Sequence, residues 1–312
     1  MSNKTFKILS IDGGGIRGVY PAHILHRIQT RLNIDVHSRF DLITGASTGA
    51  IIAASVAQGI SPGSVVQMYR NRGSEIFSKR PSPWWLPWKL KKYAPAFQSQ
   101  YFSDKLKTVL KETFGDMLLG DIKKPLVIPA TDIGNGSPHV FKSGYNDLFV
   151  RDKLVPLWHA VLASCSAPTF FDPQRVEEYL LADGGLWANN PSLGAAIEAQ
   201  KRFNRSLDEI RVFSLGTGHE KTCYDVKSAE NWGLINGWRH KEFINCLMSL
   251  QAQTTHNYLQ LMLKKEQWYR ITFESDSRLP LDDCSSIDKL ITRADRDFTH
   301  RSAEISAFLN QD

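Results

Sequence analysis

Residues 6–18 read FKILSIDGGGIRG, a short β-prone apolar run that stops at an acid and three glycines. A buried strand halted by a glycine turn and followed by Ile24, Leu25, Ile28 and Leu32 at helical spacing opens an α/β unit. The same stretch satisfies G-x-G-x-x-G between strand and helix, so one expectation is a nucleotide-binding oxidoreductase. That fingerprint requires an acidic residue about 20 positions on, at the end of the second strand. Asp35 falls before that strand and Asp41 near its beginning, which is the wrong end. Consecutive glycines open a second chemistry, because they expose backbone N–H groups that bind an anion or a developing oxyanion. Gly13, Gly14 and Gly15 are the donors expected for it, with Arg17 beside them.

Outward from that loop, residues 40–44 form the next strand and run into Gly45-Ala46-Ser47-Thr48-Gly49, a G-x-S-x-G before a helix over 48–58. Glycines at both ends let the chain turn sharply and leave the serine exposed at a helix N-terminus, where the dipole favours a negative oxygen. Ser47 is therefore a candidate nucleophile; the competing expectation is a helix N-cap and nothing more. A serine nucleophile needs a base. His219, in the loop after a strand at 210–215, is one candidate. Asp183, at the end of a strand over 179–182 and followed by Gly184-Gly185, is the other.

Pro62-Gly63 reads as a break. Helices are expected over 102–114, 154–163, from Pro191 to 203, over 242–265 and over 287–309, with further strands at 126–131 and 268–273. Strands alternating with helices predict an α/β fold, a mainly parallel central sheet with helices on both faces. No repeat or linker divides the 312 residues, so a single domain over 1–312 is expected, with an irregular insertion at about 78–100.

Composition is ordinary for a globular chain: 42% apolar, 22% charged. The net charge of +6 favours an acidic partner or an anionic surface without choosing between them. Its most pointed feature is local. Trp84, Trp85 and Trp88 fall within five residues, flanked by Lys79, Arg80, Lys89, Lys91 and Lys92. A membrane-interface segment fits this pairing of Trp and Lys. A loop packed on the core is the plain alternative, and the prolines Pro81, Pro83 and Pro87 disfavour a nucleic-acid site. Cys165, Cys223, Cys246 and Cys284 form no CxxC, so neither a disulfide framework nor a zinc site is expected. The first ten residues lack the apolar run of a signal peptide, and the apolar stretch at 50–57 is too short to span a bilayer. A cytoplasmic protein, peripherally bound to membrane when active, is the expectation.

Three segments in order, DGGGIRG at 12–18, GASTG at 45–49 and DGG at 183–185, together resemble the patatin-like phospholipase family, over about residues 8–218. ASCSAPTFF at 163–171 and SLGTG at 214–218 are similar to its supporting segments. The resemblance implies a three-layer α/β sandwich and a lipid acyl hydrolase of the phospholipase A type. It implies a Ser47–Asp183 dyad without histidine and an oxyanion hole at Gly13, Gly14 and Gly15 with Arg17 supporting the loop. No metal and no cofactor are implied. Some bacterial members are antiphage effectors switched on by cyclic nucleotides, which makes a cyclic nucleotide activator and a phospholipid membrane the expected partners, leaves a homo-oligomer open, and excludes a nucleic-acid polymer. Trp84, Trp85, Trp88 and Lys89 are the expected membrane-facing residues. Ala50 stands where many relatives have a third glycine. A non-catalytic module that only binds a membrane surface remains the alternative outside enzymes.

Overall fold

The computed structural model describes residues 5–85, 87–88, 98–221, 224, 232, 238 and 240–311. Strand β1 (Phe6–Ile11) lies in the middle of the main sheet and alternates cleanly. Phe6 and Ile8 enter one apolar core, Leu9 and Ile11 the other. Both faces of the sheet are therefore covered, as a parallel sheet requires. After the glycine loop come α1 (Val19–Arg31), the short α2 (Val36–Arg39), β2 (Leu42–Gly45), α3 (Thr48–Ala57) and α4 (Pro62–Ile76). Helix α4 occupies the place where Pro62-Gly63 suggests a break. Ser61 accepts the Gly63 N–H at 3.2 Å and Pro62 sits in the first turn, where its missing N–H costs nothing.

The chain continues through α5 (Ser103–Phe114), β3 (Leu126–Asp132), β4 (Ser137–Lys142), α6 (Leu157–Ser164), β5 (Gln174–Val176), β6 (Tyr179–Asp183), α7 (Gly185–Ala188) and α8 (Ser192–Arg202). It ends with β7 (Ile210–Leu215), β8 (His219–Glu220), α9 (His240–Met262), β9 (Trp268–Ile271), β10 (Glu274–Ser275) and α10 (Ile287–Asn310). The main sheet has the order β5-β6-β3-β2-β1-β7-β9, with β4 paired to β3. Strands β3, β2, β1, β7 and β9 run parallel; β4 and β6 join β3 antiparallel, and β5 pairs antiparallel with β6. The mainly parallel α/β sheet expected from the pattern is the one observed. The β4 and β5 strands escape the pattern because each presents residues to solvent and neither reads as a buried run.

Register positions the site. Ile11 pairs with Gly45 on one side and Leu215 on the other, so three strands end level. Their loops, Asp12–Gly15, Ala46–Ser47 and Gly216–Gly218, meet at the carboxyl edge of the sheet, where open parallel sheets place their ligands.

Candidate active site

Ser47 joins β2 to α3 with φ 52° and ψ −128°, a conformation that costs a non-glycine residue about 1–3 kcal/mol. Its neighbours hold it there. The Ser47 N–H donates to Ser164 Oγ at 3.0 Å, and Ser164 Oγ donates to Pro129 O at 2.6 Å. The Cys165 thiol donates to Ser47 O at 3.0 Å. Gly45 and Gly49 have no room for a side chain: a β-carbon on either would fall within 2.3 Å of backbone oxygen.

Although Ser47 occupies the N-cap position, its side chain makes no capping hydrogen bond. It donates instead to Asp183 Oδ2, at 2.6 Å. Asp183 stands at the end of β6, held by its own N–H to Ser166 O at 2.9 Å and by Thr131 Oγ1, which donates to Asp183 O at 2.7 Å. Its second oxygen, Oδ1, accepts the Gly185 N–H at 2.6 Å. One short segment, residues 164–166, thus grips both members of the pair. Ser164 takes the N–H of Ser47 and, through its carbonyl, that of Gly184, while Ser166 takes that of Asp183.

Both groups are buried, Ser47 at 6% and Asp183 at 1% exposure. Burial disfavours the carboxylate and raises the Asp183 pKa to about 7, against the lowering effect of the bonds from Ser47 and Gly185. That value suits a group that takes and returns a proton near neutral pH.

The glycine loop lies against Ser47. The Gly13 N–H donates to Asn189 O at 3.0 Å and its carbonyl accepts from Thr217 Oγ1 at 2.6 Å, so this glycine is committed to anchoring the loop. The N–H groups of Gly14 and Gly15 have no partner among the described residues. Arg17 Nε donates to Gly14 O at 3.1 Å, and its other nitrogens reach Leu279 O and Asn245 Oδ1. In a trans peptide the N–H points opposite to the C=O, so pinning the Gly14 oxygen turns the Gly15 N–H away from Arg17. Burial lowers the Arg17 pKa to about 10, which leaves it charged at neutral pH. Asp12, at the head of the loop, is buried. It pairs with buried Arg270, Nη2 to Oδ2 at 2.5 Å.

In front of Ser47 opens a narrow cavity of about 40 Å³, walled by Ile51, Leu106, Phe170, Phe171, Met248 and Leu281. Phe77 also lines it, and from Phe77 the chain leaves into the Trp-bearing segment. The segment returns at Tyr101, which packs on Phe77, Phe170 and Phe171. Arg80 fastens it further, donating to Tyr101 O at 3.1 Å and pairing with Asp172 at 2.5 Å. Arg80 is therefore a structural cation. Trp84, Trp85 and Trp88 are 93%, 55% and 77% exposed, so the core-packed alternative does not hold for them. Lys89, Lys91 and Lys92 lie outside the described residues.

The other sequence candidates find local duties. His219 faces Glu274 at 3.3 Å. Asp35 caps α2, and Asp41 accepts the Lys7 N–H at 2.8 Å. Sequence reasoning missed the gripping roles of Ser164 and Ser166, the Thr217 tie and the Asp12–Arg270 pair. The segments ASCSAPTFF and SLGTG carry the first three; nothing local marks the last.

Known proteins are similar to this chain over most of its length. The family model described as patatin-like phospholipase matches residues 9–196. A cGAMP-activated phospholipase of Pseudomonas aeruginosa is 32% identical over 219 residues, spanning 68% of this chain and 62% of that protein. A cGAMP-activated phospholipase of Vibrio cholerae is 28% identical, spanning 95% of this chain and 92% of that protein. A cUMP-AMP-activated phospholipase of Escherichia coli is 28% identical, spanning 97% and 93%.

Proposed function

The chain belongs to the patatin-like phospholipase family and is by that membership a lipid hydrolase, and from that premise we propose that it cleaves phospholipid acyl esters with Ser47 as nucleophile and Asp183 as its base. The observation that carries this is the 2.6 Å hydrogen bond from Ser47 Oγ to a buried Asp183 at the edge of an apolar cavity. Ser47 Oγ attacks the ester carbonyl carbon while its proton passes to Asp183. The carbonyl oxygen, now negative, is received by the free N–H groups of Gly14 and Gly15; one such donor is worth about 3–4 kcal/mol at the transition state. Collapse expels the lysolipid oxygen, which takes the proton from Asp183, and leaves an acyl-Ser47 ester for water to hydrolyse.

The cavity is narrow, about 40 Å³, and its walls are apolar, which suits an acyl chain. We take the enzyme to rest at low activity until a ligand binds. The relatives named for cGAMP and cUMP-AMP activation support a cyclic nucleotide as that ligand. No helix among the described residues is long and apolar enough to cross a membrane. Contact with the bilayer is assigned to the exposed tryptophans, whose segment is fastened at the cavity wall.

The deciding experiment measures fatty-acid release from phospholipid vesicles with and without a panel of cyclic dinucleotides. One member should raise the rate sharply, and Ser47→Ala should abolish it. Release that persists in Ser47→Ala overturns the nucleophile; a rate uniformly high without any nucleotide overturns the activation.

A further inference from the structure

Two cavities flank the glycine loop, and the second carries the more polar lining. The front one is the apolar cavity that holds Ser47. Behind the loop lies a second, of about 60 Å³, lined by Asp12, Arg17, Asn189, Thr217, His219 and Ser249 among others. Met248 joins the two: its side chain lines the front cavity, while its carbonyl accepts from Asn189 Nδ2 at 3.2 Å. That bond fixes which way round the Asn189 amide lies.

Asn189 is 95% buried, and its Oδ1 has no hydrogen-bond partner among the described residues. A buried amide oxygen without a donor is destabilising. Oδ1 is aimed at the reacting groups. A β-carbon on Gly13 would fall 2.3 Å from it and 3.0 Å from Ser47 Cβ. One on Gly185 would fall 2.8 Å from it and 2.9 Å from Asp183 Oδ1. Glycine at both positions keeps the space between Asn189, Ser47 and Asp183 clear of side-chain atoms from the loops themselves.

We propose that Asn189 Oδ1, together with Asp183, holds the water that hydrolyses the acyl-enzyme, and that the polar cavity behind the glycine loop supplies it. The proposal rests on Ser47 being the nucleophile. It answers a physical need. With the acyl chain in the front cavity and a lipid surface at its mouth, water must reach the ester from elsewhere. A cavity needs roughly 10–15 Å³ to hold one water, so the rear cavity is large enough. The water oxygen attacks the acyl carbonyl carbon and passes one proton to the Asp183 carboxylate, while Asn189 Oδ1 accepts a hydrogen bond from the other. The tetrahedral intermediate then breaks its bond to Ser47 Oγ, Asp183 returns the proton to that oxygen, and the fatty acid departs. Asn189 contacts the water and not the acyl carbonyl, so its loss spares the first half of the reaction.

Stopped-flow hydrolysis of p-nitrophenyl butyrate separates the halves. Wild type, Asn189→Ala and Ala252→Leu are compared, the last placing bulk on the wall of the rear cavity, away from the pair that does the chemistry. A fluorophosphonate that labels Ser47 reports whether each variant is folded and competent. Both variants should keep the rapid release of one p-nitrophenol per enzyme. Their following steady rate should fall about tenfold to a hundredfold, with an acyl-Ser47 adduct accumulating by intact mass. If Asn189→Ala fails to fold, Ala252→Leu carries the test by itself. Burst and steady rate slowed together, or neither changed, overturns the proposal while leaving Ser47 in place. A wild-type protein whose Ser47 takes no acyl group overturns the nucleophile reading and this one with it.

Discussion

The Ser47–Asp183 pair and the tryptophan segment are built in opposite ways. The pair comes from residues 136 apart in sequence, both buried, each held by several hydrogen bonds. The tryptophan segment is held at its two ends, by the Arg80–Asp172 and Arg80–Tyr101 contacts and by aromatic packing of Tyr101, while its three indoles face outward. Fixed geometry serves a step in which atoms must meet within tenths of an ångström. Meeting a lipid surface needs exposed amphipathic area and little else. Bond chemistry and surface binding should therefore be separable by mutation.

The largest effect falls on the buried side. Asp183 accepts a proton only as the carboxylate, and its pKa stands at about 7. Hydrolysis of a soluble ester should climb tenfold per pH unit below that value and level above it. Stability should run the other way. Between the ordinary 3.8 and about 7 the folded protein keeps a proton that the unfolded chain has released, so stability falls as pH rises through that window. Asp183→Asn removes both dependences. It should lose about a thousandfold in ester hydrolysis, yet melt higher than wild type at pH 8, with the gap closing towards pH 4. An activity flat from pH 5 to 8 would show that another group is the base.

A smaller loss is expected at Gly15, which has φ +57° and would place a β-carbon 2.1 Å from Leu281 O. Gly15→Ala must move the loop that presents the free amides, with about a hundredfold loss in kcat and nearly unchanged KM for a soluble ester. Binding to vesicles should be untouched. A KM effect of the same size would place the loop in substrate binding instead.

The same contrast explains what could be read from sequence. Ser47 is legible because strand, tight turn and helix are local features that the glycines of GASTG announce. Asp183 is legible through the DGG after its strand. The grip of Ser164 and Ser166 on this pair is not, since each bond joins residues that only the fold brings together, Ser47 and Ser164 lying 117 apart. Helix α4 was hidden by reading Pro62-Gly63 as a terminator when a capping serine makes it a beginning. Asn189 carries no local mark: its neighbour Asn190 accepts the Ser192 N–H at the start of the following helix, while Asn189 reaches the pair only through the fold. The exposure of Trp84, Trp85 and Trp88 could not be derived from composition, because tryptophan beside proline serves a packed loop as readily as a membrane surface.

The smallest effect tests the exposed side. Because the three indoles contribute little to the core, replacing Trp84, Trp85 and Trp88 together by Ala should leave the melting temperature and the hydrolysis of a soluble ester at wild-type levels. Affinity for anionic phospholipid vesicles should fall about tenfold, equivalent to about 1.4 kcal/mol, and vesicle hydrolysis should fall with it at low lipid and recover at saturating lipid. Recovery at saturation matters, because it distinguishes lost binding from lost chemistry. Salt supplies an independent lever: if basic residues near the tryptophans share the binding, raising ionic strength weakens the wild-type and the triple variant alike, by screening that the indoles do not feel. Equal loss on soluble ester and vesicle would instead make the segment a wall of the cavity, and the division between a rigid reacting pair and a surface-seeking rim would fail.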